Sequence, residues 1–92
     1  MSTAEALMQL VVDDSYNTVV NRTSTCIQSI VVNPLKQTAV VLYKGSDTLY
    51  QYRNVPTFEC LRLIHTPDIS LGMWANKVLK TAGVVFSKTS FA

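Results

Sequence analysis

Tyr50-Gln51-Tyr52-Arg53-Asn54-Val55-Pro56, followed by an apolar-periodic run and then by Ser70-Leu71-Gly72-Met73-Trp74-Ala75-Asn76, is the stretch that decides the fold. In an extended segment alternate side chains share a face, so Tyr50 and Tyr52 fall on one side and Leu49, Gln51 and Arg53 on the other. Pro56 has no amide hydrogen to give to a ladder and ends the strand. Beyond it Phe58, Leu61 and Ile64 recur at three-residue spacing, which predicts a helix with Thr57 as its cap and Glu59 paired outward with Arg62. Thr66-Pro67-Asp68 breaks that helix. Asp68 or Ser70 can cap the next, whose Leu71, Trp74, Ala75, Val78 and Ala82 form a buried stripe and which Gly83 is placed to stop. A strand closed by proline and followed by two amphipathic helices describes a sheet that ends where its helical cover begins.

Towards the N-terminus the pattern stays extended. Thr38 to Tyr43 is an extended run joined to the tyrosine strand by the turn Lys44-Gly45-Ser46-Asp47, and Ser24 to Val32 is another, ended by Asn33-Pro34. Three strands with short turns predict an antiparallel meander. Val40 and Leu42 oppose Ala39, Val41 and Tyr43, so this strand has two apolar faces and is predicted to be central. Ile27 and Ile30 are out of period-two phase, which implies a bulge or a strand covered on both sides. Tyr16 to Val20 is a short β-prone piece, and Val84 to Phe86 can return as a short strand. The opening segment reads as a helix: Ser2 with Glu5 fits a capping box, Leu7, Met8, Leu10, Val11 and Val12 supply an apolar stripe, and Asp13 and Asp14 stop it. The fold class is α+β, a small antiparallel β-meander packed against two helices with an extra N-terminal helix. Residues 1–14 form a leader and residues 15–92 a single domain.

Composition agrees with a folded chain of modest stability. At 92 residues, 48% hydrophobic and 15% charged, it can bury one core and no second lobe. No apolar run is long enough to span a membrane, and the N-terminus lacks the basic flank of a signal peptide, so a soluble, cytoplasmic protein is expected. Cys26 and Cys60 are far apart and sit in apolar patterns, which predicts two buried thiols and no disulfide. The net charge of +2 conceals a split. Glu5, Asp13 and Asp14 make the leader acidic, whereas all eight bases lie in the body against Asp47, Glu59 and Asp68. Such a basic body either attracts phosphates or serves ordinary solubility.

Thr23-Ser24-x-x-Ile27-x-x-Ile30, the strand ending near Tyr43, Tyr50-x-Tyr52-x-x-Val55-Pro56 with Phe58, and Ser70-x-Gly72-x-Trp74-x-Asn76 resemble the KTSC domain. That domain occurs at the C-terminus of some lysyl-tRNA synthetases and also as a free-standing small protein in bacteria and phages. The resemblance covers roughly residues 22–80. It departs from the family pattern at Thr23, which replaces a first serine, at Trp74, which replaces tyrosine or phenylalanine, and in the Gly45 turn, which is one residue longer. The resemblance implies the fold, and its synthetase context implies contact with RNA or nucleotides.

The residues do not compose an enzyme site. His65 is the only histidine, and a lone histidine near a helix end is more often a structural group than a ligand. No second histidine or cysteine pair is spaced to complete a metal site. Cys60 and His65 lie five apart on a helix, at different azimuths. No pair of carboxylates is free for acid/base work, and Gly45, Gly72 and Gly83 stand apart and make no phosphate loop. No catalytic residue, metal or cofactor is expected.

Binding residues can be named. Tyr50 and Tyr52 either stack bases, as sheet aromatics do in RNA-binding modules, or are core rings under a helix. Arg53, Lys44 and Arg22 sit near strand ends, where they could grip phosphates. Ser70 either caps its helix or opens backbone donors to an anion, and Asn76, Lys77 and Lys80 extend a polar, basic face beside it. The expected function is a non-catalytic module for RNA or nucleotides using Tyr50, Tyr52, Arg53, Ser70, Asn76, Lys77 and Lys80. The alternative is a phage-type protein that self-associates through residues 1–14 and binds a host or partner protein, or sequesters a small anionic nucleotide between subunits.

Overall fold

A computed structural model describes residues 3–22 and 24–90. The capping residue read at Ser2 and the motif position Thr23 lie outside the described residues. Element order is α1 (Thr3–Asp13), β1 (Thr18–Val20), β2 (Ile27–Asn33), β3 (Thr38–Tyr43), β4 (Thr48–Arg53), α2 (Thr57–His65), α3 (Leu71–Trp74), which continues as a π-helical turn (Ala75–Leu79), and β5 (Val85–Ser90). The strands form one antiparallel sheet in the order β1-β2-β3-β4-β5. The meander read as three strands therefore has five, because the short pieces at both ends also join the ladder. β3 is central, as its two apolar faces require.

Parity sorts the core into two layers. Val41 and Ala39 join Ile27, Ile30, Val32, Val55, Leu63 and Trp74 on the face covered by α2 and α3. Val40, Leu42, Leu49 and Val31 face the other way and meet Leu7 of α1. Register shifts between Ile27 and Ser29, and that bulge is why Ile27 and Ile30 reach the same layer despite their odd spacing. Burying each such branched side chain contributes about 1.5–3 kcal/mol. The leader helix thus finds its partner surface in the same chain: Leu7 is buried and Ala6, Leu10 and Val11 pack beside it, while Met8 and Val12 stay exposed.

The acids that end α1 enter a polar knot. Asp14 accepts the Tyr16 amide at 2.9 Å and the Asn33 side-chain amide at 3.1 Å, and pairs with the Lys36 ammonium at 2.8 Å. Asn33 is fully buried; it also donates to Asn17 at 3.0 Å and accepts the Lys36 backbone amide at 2.8 Å. The Lys36 hydrogen bond, more than any other contact, holds the Asp14 carboxyl below its ordinary value.

Several local expectations are corrected. In α2 the buried residues are Cys60 and Leu63, while Phe58 and Leu61 are exposed, because the helix turns its Cys60–Leu63 side towards Val55 and Trp74. Thr57 does not cap α2: Pro56 occupies that position and the Thr57 hydroxyl donates to the Pro34 carbonyl at 2.7 Å. Ser70 does cap α3, accepting the Met73 amide at 3.4 Å. The buried stripe ends at Leu79, and Ala82 is exposed in the turn where Gly83 has φ +98. Cys26 is exposed, since it precedes the ladder at the β2 entry, and only Cys60 is a buried thiol; both are free. His65 is exposed at the end of α2.

Candidate functional site

Tyr50 and Tyr52 are half-buried on the α2–α3 face, packed at the margin of the larger core layer. They are neither fully enclosed nor laid out on an open sheet. The Tyr50 ring meets Tyr43 edge-on, with centroids 5.3 Å apart and planes at 84°. Tyr52 lies 5.8 Å from Phe86 of β5 at 31°. Register explains the second contact, since Tyr52 is opposite Phe86 and cross-strand partners share a face. These four rings line a pocket of about 470 Å³. Its other wall is the end of the third helix, which contributes Leu79, Lys80 and Thr81.

The π-helical turn shapes that wall. Such turns interrupt an α-helix by one wider loop and are frequent at functional sites. Here Val78 and Leu79 are both buried and Lys80 emerges at the pocket. The Thr81 hydroxyl donates to the Lys77 carbonyl at 2.8 Å and so satisfies one acceptor left open at the helix end. Trp74 anchors the helix from below: it is 1% exposed and its indole N–H donates to the Glu59 carbonyl at 3.2 Å.

Burial first, and then the neighbouring Tyr43 hydroxyl, push the Tyr52 phenol above its ordinary value of 10.0. It remains a neutral donor through the physiological range. Because the folded protein holds this proton more tightly than the unfolded chain, stability is expected to decline as pH rises above 10.0. Alkaline unfolding followed by circular dichroism checks this, and Tyr52→Phe should flatten the decline; an unchanged alkaline limb in that variant would contradict the assignment.

The remaining named residues are distributed unevenly. Lys77 lines two further pockets on the outer side of the helix. One, of about 470 Å³, includes Arg62, Glu59 and Asn54; the other, of about 220 Å³, includes Arg62, Asp68 and Ser70. Arg62 is already paired with Glu59 at 2.7 Å. The Ser70 side-chain oxygen is used in capping. Asn76 is exposed and lines none of these pockets. Arg53 is exposed at the end of β4 and, by parity with Leu49, belongs to the α1 face, opposite the lysines. Arg22 is engaged elsewhere: its guanidinium donates to the Ile69 carbonyl at 2.8 Å and to that of Leu63, tying β1 to the α2–α3 junction. The Lys44 ammonium donates to the Ser24 carbonyl.

The structure therefore brings Tyr50, Tyr52 and Lys80 together and places Lys77 one turn away. Sequence reasoning missed Tyr43, Phe86 and Thr81. Extending the alternation through Val85 to Ser90 would have found Phe86, which lies opposite Tyr52 and so shares its face, as Lys88 does opposite Tyr50. Among the described residues, no three His, Cys, Asp or Glu side chains are grouped so as to hold a metal ion. No described helix is long and apolar enough to cross a membrane.

An antiparallel five-stranded meander with α1 on one face and two helices on the other, with an aromatic pocket lined by Phe86 of β5, defines the class of domain. Among solved structures it is similar to the crystal structure of a KTSC domain protein from Yersinia pestis, with a TM-score of 0.57 and 20% identity over 82% of this chain and 97% of that one. The chain has the KTSC-domain fold. No protein-family model matches it, and no curated protein matches it at a significant level.

Proposed function

We propose that the protein is a non-catalytic binding module for RNA or a nucleotide, and that its site is the pocket between β4, β5 and the end of the third helix. The observation that carries this reading is the convergence of Tyr50, Tyr52 and Lys80, with Phe86 and Tyr43, on one open cavity. Aromatic faces there offer stacking to a base, and an ammonium at the rim offers charge to a phosphate. Neither Lys80 nor Lys77 has an acidic partner among the ion pairs of the described residues, so both charges are available. Self-association through residues 1–14 has weaker support, because Leu7, Leu10 and Val11 are spent on the sheet and, of the described apolar stripe, Met8 and Val12 remain outside.

A fluorescence-anisotropy titration with a labelled single-stranded RNA, and competition by mononucleotides, tests the reading. Affinity should fall steeply as salt rises, because phosphate contacts release counterions. Tyr52→Ala should weaken binding by about 1–3 kcal/mol, the usual worth of one stacked base, and Lys80→Ala should reduce the salt slope. Binding indifferent to salt and to both substitutions would place the ligand site elsewhere or remove it.

A further inference from the structure

Among the described residues the sheet has two free edges, and they are unlike. β1 offers three residues, whereas β5 offers six, Val85–Ser90, paired without interruption along β4 from Arg53 to Thr48. Natural edges are commonly blunted by proline, a bulge or several charges. β5 has no proline, no register shift and one charge, Lys88. Its Val85 and Phe86 are 46% and 59% exposed, one on each face of the sheet.

We propose that two copies of the chain pair antiparallel through β5 about a twofold axis at Ser87, so that the partner's Lys88 lies beside Phe86 and completes the aromatic pocket. The occupant follows from the pattern of the edge itself. A twofold axis normal to the sheet keeps each face continuous, so opposed residues must have the same parity and the axis must pass through a residue. Only centres at Ser87 and Lys88 pair most of the strand. A centre at Lys88 sets two ammonium groups directly opposite each other, which is unfavourable. A centre at Ser87 sets Phe86 against the partner's Lys88 and Val85 against the partner's Thr89, with no like charges opposed. Lys88 then meets the ring face that attracts cations. The register is self-complementary, which a strand from an unrelated protein would have to match by chance.

This pairing stands on the edge alone, while its consequence for ligand binding rests on the proposed function. Phe86 of β5 lines the pocket, and the twofold brings a second ammonium to that side. The two pockets of a dimer then lie along one continuous sheet face.

Native mass spectrometry and sedimentation of the wild-type protein, without ligand, should give twice the monomer mass. Register is read in a Cys26→Ser background, where Cys60 is buried. Ser87→Cys should be trapped as a disulfide-linked dimer under mild oxidation, because opposed antiparallel residues have Cα separations of about 4.5–5.5 Å, within disulfide range. Lys88→Cys should not be trapped. A monomer at all concentrations into the millimolar range, or trapping through Lys88→Cys with none through Ser87→Cys, overturns the proposal. Both readouts need no ligand, so a failure of nucleotide binding leaves them interpretable and distinguishable.

Discussion

Trp74→Ala is expected to lower stability by about 3–5 kcal/mol, the cost of deleting a large buried aromatic side chain. The residue is 1% exposed, sits in the larger core layer with Ile27, Val41, Cys60 and Leu63, and its indole N–H holds the Glu59 carbonyl of α2. Removing it leaves a cavity between two helices and the sheet and takes the indole donor from one part-buried acceptor. Whole-domain stability in this size range is about 5–15 kcal/mol, so the variant should fold marginally or not at all at physiological temperature. Trp74→Phe keeps most of the volume and loses the hydrogen bond. It should cost distinctly less, and urea unfolding of the two variants separates the packing contribution from the polar one. Equal stability of Trp74→Ala and wild type would contradict the placement of the third helix.

Asn33→Ala is the second large effect, expected at about 2–4 kcal/mol because more than one polar group loses its partner. Asn33 is fully buried and joins three segments: it donates to Asp14 and Asn17 beyond α1 and accepts the Lys36 amide in the β2–β3 turn. Its loss should loosen α1 from the sheet before the α2–α3 layer. Hydrogen exchange should therefore show α1 amides deprotected first. The same knot has a pH signature. Asp14 has a folded pKa below its ordinary 3.8, chiefly through Lys36, so its contribution is present above 3.8 and is lost as pH falls below that value towards the folded pKa. Asp14→Asn should remove that acid-side loss; uniform deprotection in Asn33→Ala would count against a local role for the knot.

Much of the fold was legible because strand parity is a strict rule. Val40 against Val41 and Leu49 against Tyr50 sort the apolar β3 and β4 side chains into the observed layers, and the odd phase of Ile27 and Ile30 left a bulge or a strand covered on both sides, of which the register shows the bulge. Helical phase was less decisive in α2. Phe58, Leu61 and Ile64 make a plausible stripe, but of these only Ile64 packs against the core, Cys60 and Leu63 are the residues fully buried, and a nine-residue helix has too few turns for spacing alone to choose between adjacent faces. Leader packing was not legible either. A stripe of Leu7, Leu10 and Val11 states that a partner surface is needed, and only the second apolar face of the sheet shows that the surface is internal.

The candidate site was half legible for a related reason. Tyr50, Tyr52 and Lys80 were named from sequence, yet Lys80 lies 30 positions from Tyr50 and nothing local says that they meet. The return of β5 beside β4 brings Phe86 to Tyr52, and the π-helical turn brings Lys80 to the same cavity. Both depend on tertiary contacts. Arg53, by contrast, follows parity to the opposite face, so charge proximity in sequence was misleading there.

The most direct test of the central claim is chemical-shift mapping by NMR during titration with a mononucleotide or a short single-stranded RNA. Saturable shifts are expected to be confined to Tyr43, Tyr50, Tyr52, Lys80, Thr81 and Phe86, with α1 silent. Shifts centred on α1 or on the Arg53 end of β4, or no shifts at all, would contradict it.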